Sequence, residues 1–351
     1  MSHQLATLAE LANFDEIIDV RTPLEFAEDH IPGAINAPVL SNEERVVVGT
    51  MYAKVSPFEA TRHGAALVAQ NIARHLQTTF ADRPKNWRPM IYCWRGGKRS
   101  GSMTAWFNLI GWKARQLDGG YKTYRHHVLE QLNACPSRFE YRVLAGLTGS
   151  GKTRLLQALG RCGAQVLDLE GIARHRGSLL GALPGEAQPS QKRFDSQLLA
   201  AFGKLDPARP VFIESESKKI GQLQLPTALM QSMSAAPCIR VDASIEERVE
   251  FLCDDYAALF DAPDFLKEKL ARLTPLVGKQ TVADWFALID AGAKAALFRE
   301  LIECHYDPAY RSSSHGLFPN LPKAMAFAFN PNAVALEDEA ERLLCMLKPD
   351  A

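Results

Sequence analysis

The stretch RFEYRVLAGLTGSGKTRLLQALGRCG, residues 138–163, holds a strand, a loop and a helix in succession. The run RFEYRVLAGL is apolar and branched, as a buried strand requires, and GKTRLLQALGRCG has helical spacing ended by a glycine. Between them GLTGSGKT, Gly146–Thr153, satisfies G-x-x-x-x-G-K-T in the strand-to-helix setting that motif needs. Amides from Gly149 through Ser150 and Gly151 to Thr153 would point at phosphate oxygens, Lys152 would neutralise β-phosphate charge, and the Thr153 hydroxyl would reach Mg2+. Such a loop recognises a diphosphate with magnesium, and ATP, GTP or another pyrophosphorylated molecule all supply one.

Downstream, AQVLDLEG (residues 164–171) and RPVFIESES (residues 209–217) read as further strands. The second ends in Glu214 and Glu216, which would lie across the sheet from the loop and hold the metal's water or position a nucleophile. Beyond Ala243 the chain reads as mostly helical to about residue 305, and the last forty residues receive no assignment.

Upstream, DEIIDV (residues 15–20) and RPMIYC (residues 88–93) read as strands. In the helix between them, Val68, Ile72, Leu76 and Phe80 form one apolar stripe. KRSGSMTAWFNLIGW, KARQLD and GGYKTYRHHVLEQL continue as helix, strand and helix. Alternating strand and helix is the grammar of a parallel sheet, and Pro136 in NACPSR (residues 133–138) interrupts the pattern, which places a linker there. The fold class is therefore α/β, with expected domains at residues 1–135 and 136–351, the second with a helical C-terminal part.

CWRGGKRSGS, Cys93–Ser102, puts a thiol where a strand meets a helix N-terminus. Thiolate is the nucleophilic form of cysteine, and amides, the positive helix end and the cations Arg95, Lys98 and Arg99 all favour it. Gly96 and Gly97 let the loop curl inward, forming with Trp94 a cradle for a terminal persulfide or perselenide anion. Cysteine phosphatases use a similar loop. Most of the other six cysteines read as small buried hydrophobes: seven in all, with no C-x-x-C pair, argue against a zinc knuckle and a disulfide framework.

Hydrophobic residues at 47% and charged residues at 23% suit globular cores. The N-terminus has no basic segment leading into an apolar run, so the expected location is the cytoplasm. The uncharged run from Ile220 to Ile239 carries three glutamines and two prolines, which a bilayer core would reject. Net charge is zero, yet residues 83–125 hold ten Lys or Arg against Asp118, and residues 242–268 hold nine acids against Arg248 and Lys267. A polyanion would approach the Cys93 side.

IIDVRTPLEFAEDHIPGAINAPV, with the cysteine loop and LDGGYKTYR, resembles a rhodanese domain; Asp19, Arg21 and His30 in it read as turn and packing residues. With GLTGSGKT, HRGS (His175–Ser178), ESESKKIG and YDPAY following in order, the chain resembles the bacterial tRNA 2-selenouridine synthases. Two departures stand out: leucines in HRGSLLG, and Asp195 where glutamate is expected. The resemblance implies a rhodanese-like domain followed by a P-loop NTPase-like domain. It also implies tRNA as partner, through the anticodon arm carrying wobble 2-thiouridine, with geranyl diphosphate and selenophosphate as co-substrates and a selenophosphate-supplying enzyme as a further partner. Sulfur would be geranylated at the P-loop with Mg2+ and then replaced by selenium at Cys93. Trp94, Trp106, Trp112 or Tyr121 would stack on the splayed base. An ATP-dependent sulfurtransferase acting on another acceptor, and a nucleotide-sensing module in which the rhodanese fold only docks a partner, are the competing readings.

Overall fold

The computed structural model describes residues 5–182, 185 and 187–348. Contacts divide the chain into two compact units: the chain up to Gln131 together with Asp195–Ala200, and Leu132–Phe194 together with the chain from Ala201 on.

Five parallel strands form the first unit's sheet: β1 (Leu5–Ala6), β2 (Glu16–Asp19), β3 (Ile35–Asn36), β4 (Pro89–Tyr92) and β5 (Arg115–Leu117), in the order β1-β5-β4-β2-β3. β2 and β4 are the apolar runs legible in the sequence, and they pair at the centre, Ile17 opposite Met90 and Ile18 opposite Ile91. Being covered on both faces, they read as unbroken hydrophobic segments. Ile18, Ile91, Met103, Phe107, Phe80 and Ile72 form the core, with Val68 and Leu76 packed at its edge, so the expected stripe is the buried one. The stripe's helix runs from Pro57 to Gln77, so Phe80, read as its last member, enters the core from the turn just past the helix end. A second helix, Asn42–Lys54, precedes it, closed by a Ser41/Glu44 capping box.

The second unit carries β6 (Tyr141–Ala145), β7 (Gln165–Leu167), β8 (Val211–Glu214), β11 (Cys238–Asp242) and β12 (Met325–Ala328), all parallel, in the order β12-β11-β6-β8-β7. β9 (Lys219–Ile220) and β10 (Leu223–Gln224) form a small antiparallel hairpin. Helices run from Ile245 through Leu317, beyond the expected residue 305, with a π-helical turn at Ile302–Tyr306. Their core, including Trp285, Leu297 and Phe298, also buries Leu180; Leu179 packs against it. The leucines that depart from the family pattern thus serve packing. The unassigned C-terminal segment supplies edge strand β12 and the helix Leu336–Met346, whose Leu343 packs on Leu155 and Leu159 of the phosphate-loop helix. No helix among the described residues is long and apolar enough to cross a membrane.

Candidate functional site

β6 ends at Ala145, and the loop Gly146–Gly151 leads into the helix Lys152–Arg161. Gly149 (φ +84°) and Gly151 (φ +74°) take the left-handed conformation that curls the loop. A side chain at Gly151 would meet Pro331 at 2.6 Å and Phe329 at 2.9 Å, so glycine is required there. Buried Arg248 fixes the loop from outside: its Nε donates to the Thr148 carbonyl (2.9 Å), and its guanidinium pairs with Asp307. Lys152 folds back on the loop, donating to the Gly146 carbonyl at 2.8 Å, and the Ser150 hydroxyl is buried without a partner.

β8 lies beside β6 and not across the sheet, so Glu214 sits directly next to the loop. The Thr153 hydroxyl reaches Glu214 Oε1 at 2.5 Å and Glu170 Oε2 at 3.0 Å. Glu170 is a functional candidate that sequence reasoning missed; its signal was an acid just past the end of a strand, in AQVLDLEG, the same signal that marked Glu214. Glu216 shares a hydrogen bond with Glu170. Burial, followed by repulsion from Glu170, pushes Glu216 up to about 8; burial also raises Glu170, and raises Glu214 well above the usual carboxylate range. Three carboxyls crowded in low dielectric favour protonation or a cation, and Glu214 Oε2 is buried with no hydrogen-bond partner. The donor set fits Mg2+, which takes one or two carboxylates with a hydroxyl and substrate phosphates. Among the described residues no group of three or more His, Cys, Asp or Glu side chains is arranged to hold a metal ion, so the Thr153 hydroxyl and substrate phosphates would have to complete the set.

Gly149, Gly151, Lys152, Thr153, Glu170 and Glu216 line a cavity of about 450 Å3, with Glu214 held just behind it on Thr153. HRGS closes one side: Gly177 (φ +66°) stands where a Cβ would lie 2.7 Å from Glu170 Oε1, and Arg176 pairs with Asp255 at 2.9 Å. Apolar and aromatic side chains, Phe251, Leu252, Tyr256, Leu317 and Phe318, complete the lining, with Tyr256 against Ser178 and Arg176, and Leu252 beside Gly149. Tyr310 of YDPAY accepts the Gly146 N–H at 3.0 Å.

In the first unit, β4 delivers Cys93, only 3% exposed, to the loop Trp94–Gly97. Sγ accepts the Gly97 N–H at 3.3 Å and the Ser100 hydroxyl at 3.0 Å, and Gln116 holds Ser100 at 2.8 Å. Ser100 and Gln116 were not foreseen. Gly96 (φ +62°) and Gly120 (φ +61°) let two loops touch: a Cβ on Gly120 would lie 2.3 Å from the Cys93 carbonyl oxygen. Glu25, Arg45, Trp94, Arg95, Lys98 and Arg99 surround Cys93 in a pocket of about 580 Å3. Arg99 is not a free cation, because it pairs with Glu25 at 2.8 Å.

Asp19 and Arg21 form a buried ion pair at 2.6 Å, and His30 stacks on Phe26 at 3.7 Å, in keeping with structural roles. Of the four stacking candidates, Trp94 and Trp106 are accessible, Tyr121 is buried with its hydroxyl on Asp29, and Trp112 packs edge-on against Trp87 and Phe107. The basic stretch is also less basic than its composition: Arg83, Arg88, Arg99, Arg115 and Arg125 pair with Glu16, Asp15, Glu25, Glu10 and Asp195. Asp195, the second departure, thus holds an ion pair within the first unit.

A strand-to-helix cysteine cradle on one parallel sheet and a phosphate loop with buried carboxylates on another define a rhodanese-like unit joined to a P-loop unit. Residues 2–127 match the rhodanese-like domain, and residues 139–316 match the tRNA 2-selenouridine synthase AAA domain. Proteins named tRNA 2-selenouridine synthase are similar: that of Alcanivorax borkumensis is 36% identical over 71% of this chain and 68% of its own. The Aeromonas salmonicida protein is 33% identical over 79% of each chain, and the Cupriavidus necator protein 34% over 84% of this chain and 87% of its own. The chain belongs to the tRNA 2-selenouridine synthase family.

Proposed function

We propose that this protein is a transferase that converts wobble 2-thiouridine of tRNA into 2-selenouridine in two steps, acting in the cytoplasm. In the first step the thiocarbonyl sulfur attacks geranyl diphosphate. The S–C bond forms, the allylic C–O bond breaks with its electrons leaving on the diphosphate, and the N3 proton passes to solvent. Gly149 to Thr153 and Lys152 bind the departing diphosphate, where fixed charge helps most because the charge develops in the transition state. Glu214, Glu170 and Thr153 would hold Mg2+, with Glu216 on its water, and the ion would supply further stabilisation of that charge. The observation that carries this reading is the cavity itself, whose lining combines a phosphate loop and acids with the apolar side chains Phe251, Leu252, Tyr256, Leu317 and Phe318. A diphosphate with a hydrocarbon tail suits both kinds of lining.

In the second step selenium from selenophosphate, held in the Cys93 cradle, bonds to C2. The C2–S bond breaks and geranylthiol leaves; water hydrolyses the P–Se bond, giving phosphate and supplying the remaining protons. An alkylated sulfur leaves more readily than a thiocarbonyl. Lys85, Arg95, Lys98, Lys113 and Lys122, for which no ion pair is found among the described residues, would meet RNA phosphates.

The test incubates the protein with 2-thiouridine tRNA, Mg2+ and geranyl diphosphate, with and without selenophosphate, followed by mass spectrometry of the nucleosides. S-geranyl nucleoside without selenophosphate and seleno-nucleoside with it are expected. Consumption of added ATP with sulfur moving from Cys93 to an acceptor, and neither product, would replace this reading with the ATP-dependent sulfurtransferase.

A further inference from the structure

Beside the Cys93 pocket, within the same unit, runs a groove of about 820 Å3 between the helices Asn42–Lys54, Pro57–Gln77 and Lys98–Ile110. Its walls are apolar, among them Val48, Tyr52, Ala65, Val68, Ala105 and Trp106. Arg45, Lys98 and Arg99 line both the groove and the cysteine pocket, so the two spaces meet at these cations. The shared helix starts at the cysteine loop and carries the groove's floor. From Lys98 to Ala105 it advances about 10 Å, the reach of an extended geranyl chain.

We propose that this groove holds the hydrocarbon chain attached to the sulfur that is exchanged at Cys93. The inference rests on the two-step reading above and adds a second place for the chain, distinct from the cavity where the chain arrives as its diphosphate. Three observations select this occupant. The groove opens onto the reacting sulfur's pocket, its lining changes from cationic at that mouth to apolar along its length, and small residues (Ala65, Ala105, Gly64 and Gly101) leave a channel between helices instead of a flat patch. Phosphates of the RNA would meet Arg45 and Lys98 at the mouth while the chain lies in the channel. When the C2–S bond breaks, the thiol leaves with its chain already bound away from the base, which keeps the sulfur from returning.

The groove predicts a preference for long chains in the selenium step alone. At about fourfold per buried carbon, covering as few as three carbons favours an S-geranyl over an S-methyl substrate by roughly 60-fold in kcat/KM. The measurement uses full-length protein, selenophosphate, and anticodon stem-loop RNAs carrying S-geranyl-, S-dimethylallyl- or S-methyl-2-thiouridine, with seleno-nucleoside read by mass spectrometry. The dimethylallyl substrate is expected between the others. In the double variant Ala65→Glu, Ala105→Glu, at two exposed positions, the geranyl-to-methyl ratio is expected to fall below about threefold, with the melting temperature reporting that the fold is intact. Equal turnover of the three RNAs by the wild type, or an undiminished ratio in the folded variant, overturns the groove while leaving the two-step reading standing. If the wild type converts none of them, the reaction scheme falls and the groove with it.

Discussion

At pH 7.5 and without divalent cations, replacing Glu216 by glutamine removes a carboxyl that the fold holds at about 8 against an ordinary 4.5. The unfolded chain releases that proton near 4.5, whereas the folded protein keeps it until about 8, so the folded state binds more protons across the interval. Stability therefore falls as pH rises from about 4.5 to 8, the sign for a raised carboxyl. At pH 7.5 the full shift corresponds to about 4 kcal/mol. Glu170 and Glu214 share the strain and titrate with it, so about 2 kcal/mol is expected to return on Glu216→Gln, since glutamine keeps an acceptor for the Ser217 N–H. For a unit of this size that is a rise of about 4–8 °C in melting temperature. The assay is thermal unfolding of the full-length protein from pH 5 to 8, with EDTA or with Mg2+. The gap between variant and wild type should close towards pH 5, and Mg2+ should stabilise the wild type more than the variant. A variant that melts at or below the wild type at pH 7.5 in EDTA, or a wild type that gains stability between pH 5 and 8, would refute the electrostatic reasoning. Geranylation in Mg2+ should fall in the same variant although its fold is firmer.

Cys93→Ser is expected to lose selenium incorporation and keep most S-geranylation, while Lys152→Ala loses geranylation; equal loss of both products in a folded Cys93→Ser protein would sink the division of labour. Arg21→Met leaves Asp19 buried and unpaired and should destabilise by about 3–5 kcal/mol, read by urea denaturation; a change under about 1 kcal/mol would mean the pair is replaceable. Gly120→Ala forces a Cβ to 2.3 Å from the Cys93 carbonyl at φ +61°. It should cut the selenium step by about tenfold or more with geranylation spared, and an unchanged selenium rate would show that the two loops move independently.

Both reactive loops were legible in the sequence because each is local: a strand, a few glycines and a helix start, at fixed spacing from Cys93 or Lys152. Strands β2, β4, β6 and β8 were legible too, since a strand covered on both faces must be apolar along its length, and so was the edge strand β7. The edge strands β1, β3 and β12 escaped, as did β11, whose exposed Arg240 and Asp242 interrupt its apolar run. β1 and β3 are two residues long and carry no period, and β12 follows a long helical excursion before it pairs with β11, a partner more than eighty residues back. Charge was misread for a related reason: composition counts Arg83, Arg88 and Arg115 as basic surface, but the fold places Glu16, Asp15 and Glu10 from the far end of the same unit beside them. The burial of Tyr121, the edge-on packing of Trp112, the arrival of Glu170 at Thr153, and the groove beside Cys93 depend likewise on which surfaces meet.

Local sequence determined which groups this protein can use, a thiol in a cationic cradle and a lysine and threonine in a phosphate loop, because backbone geometry over a few residues fixes such sites. Tertiary structure alone decided what surrounds them. The three carboxyls share one site because parallel pairing sets β8 beside β6 and β7 beside β8, and an apolar channel opens at Cys93 because three helices of one unit pack with alanines and glycines between them.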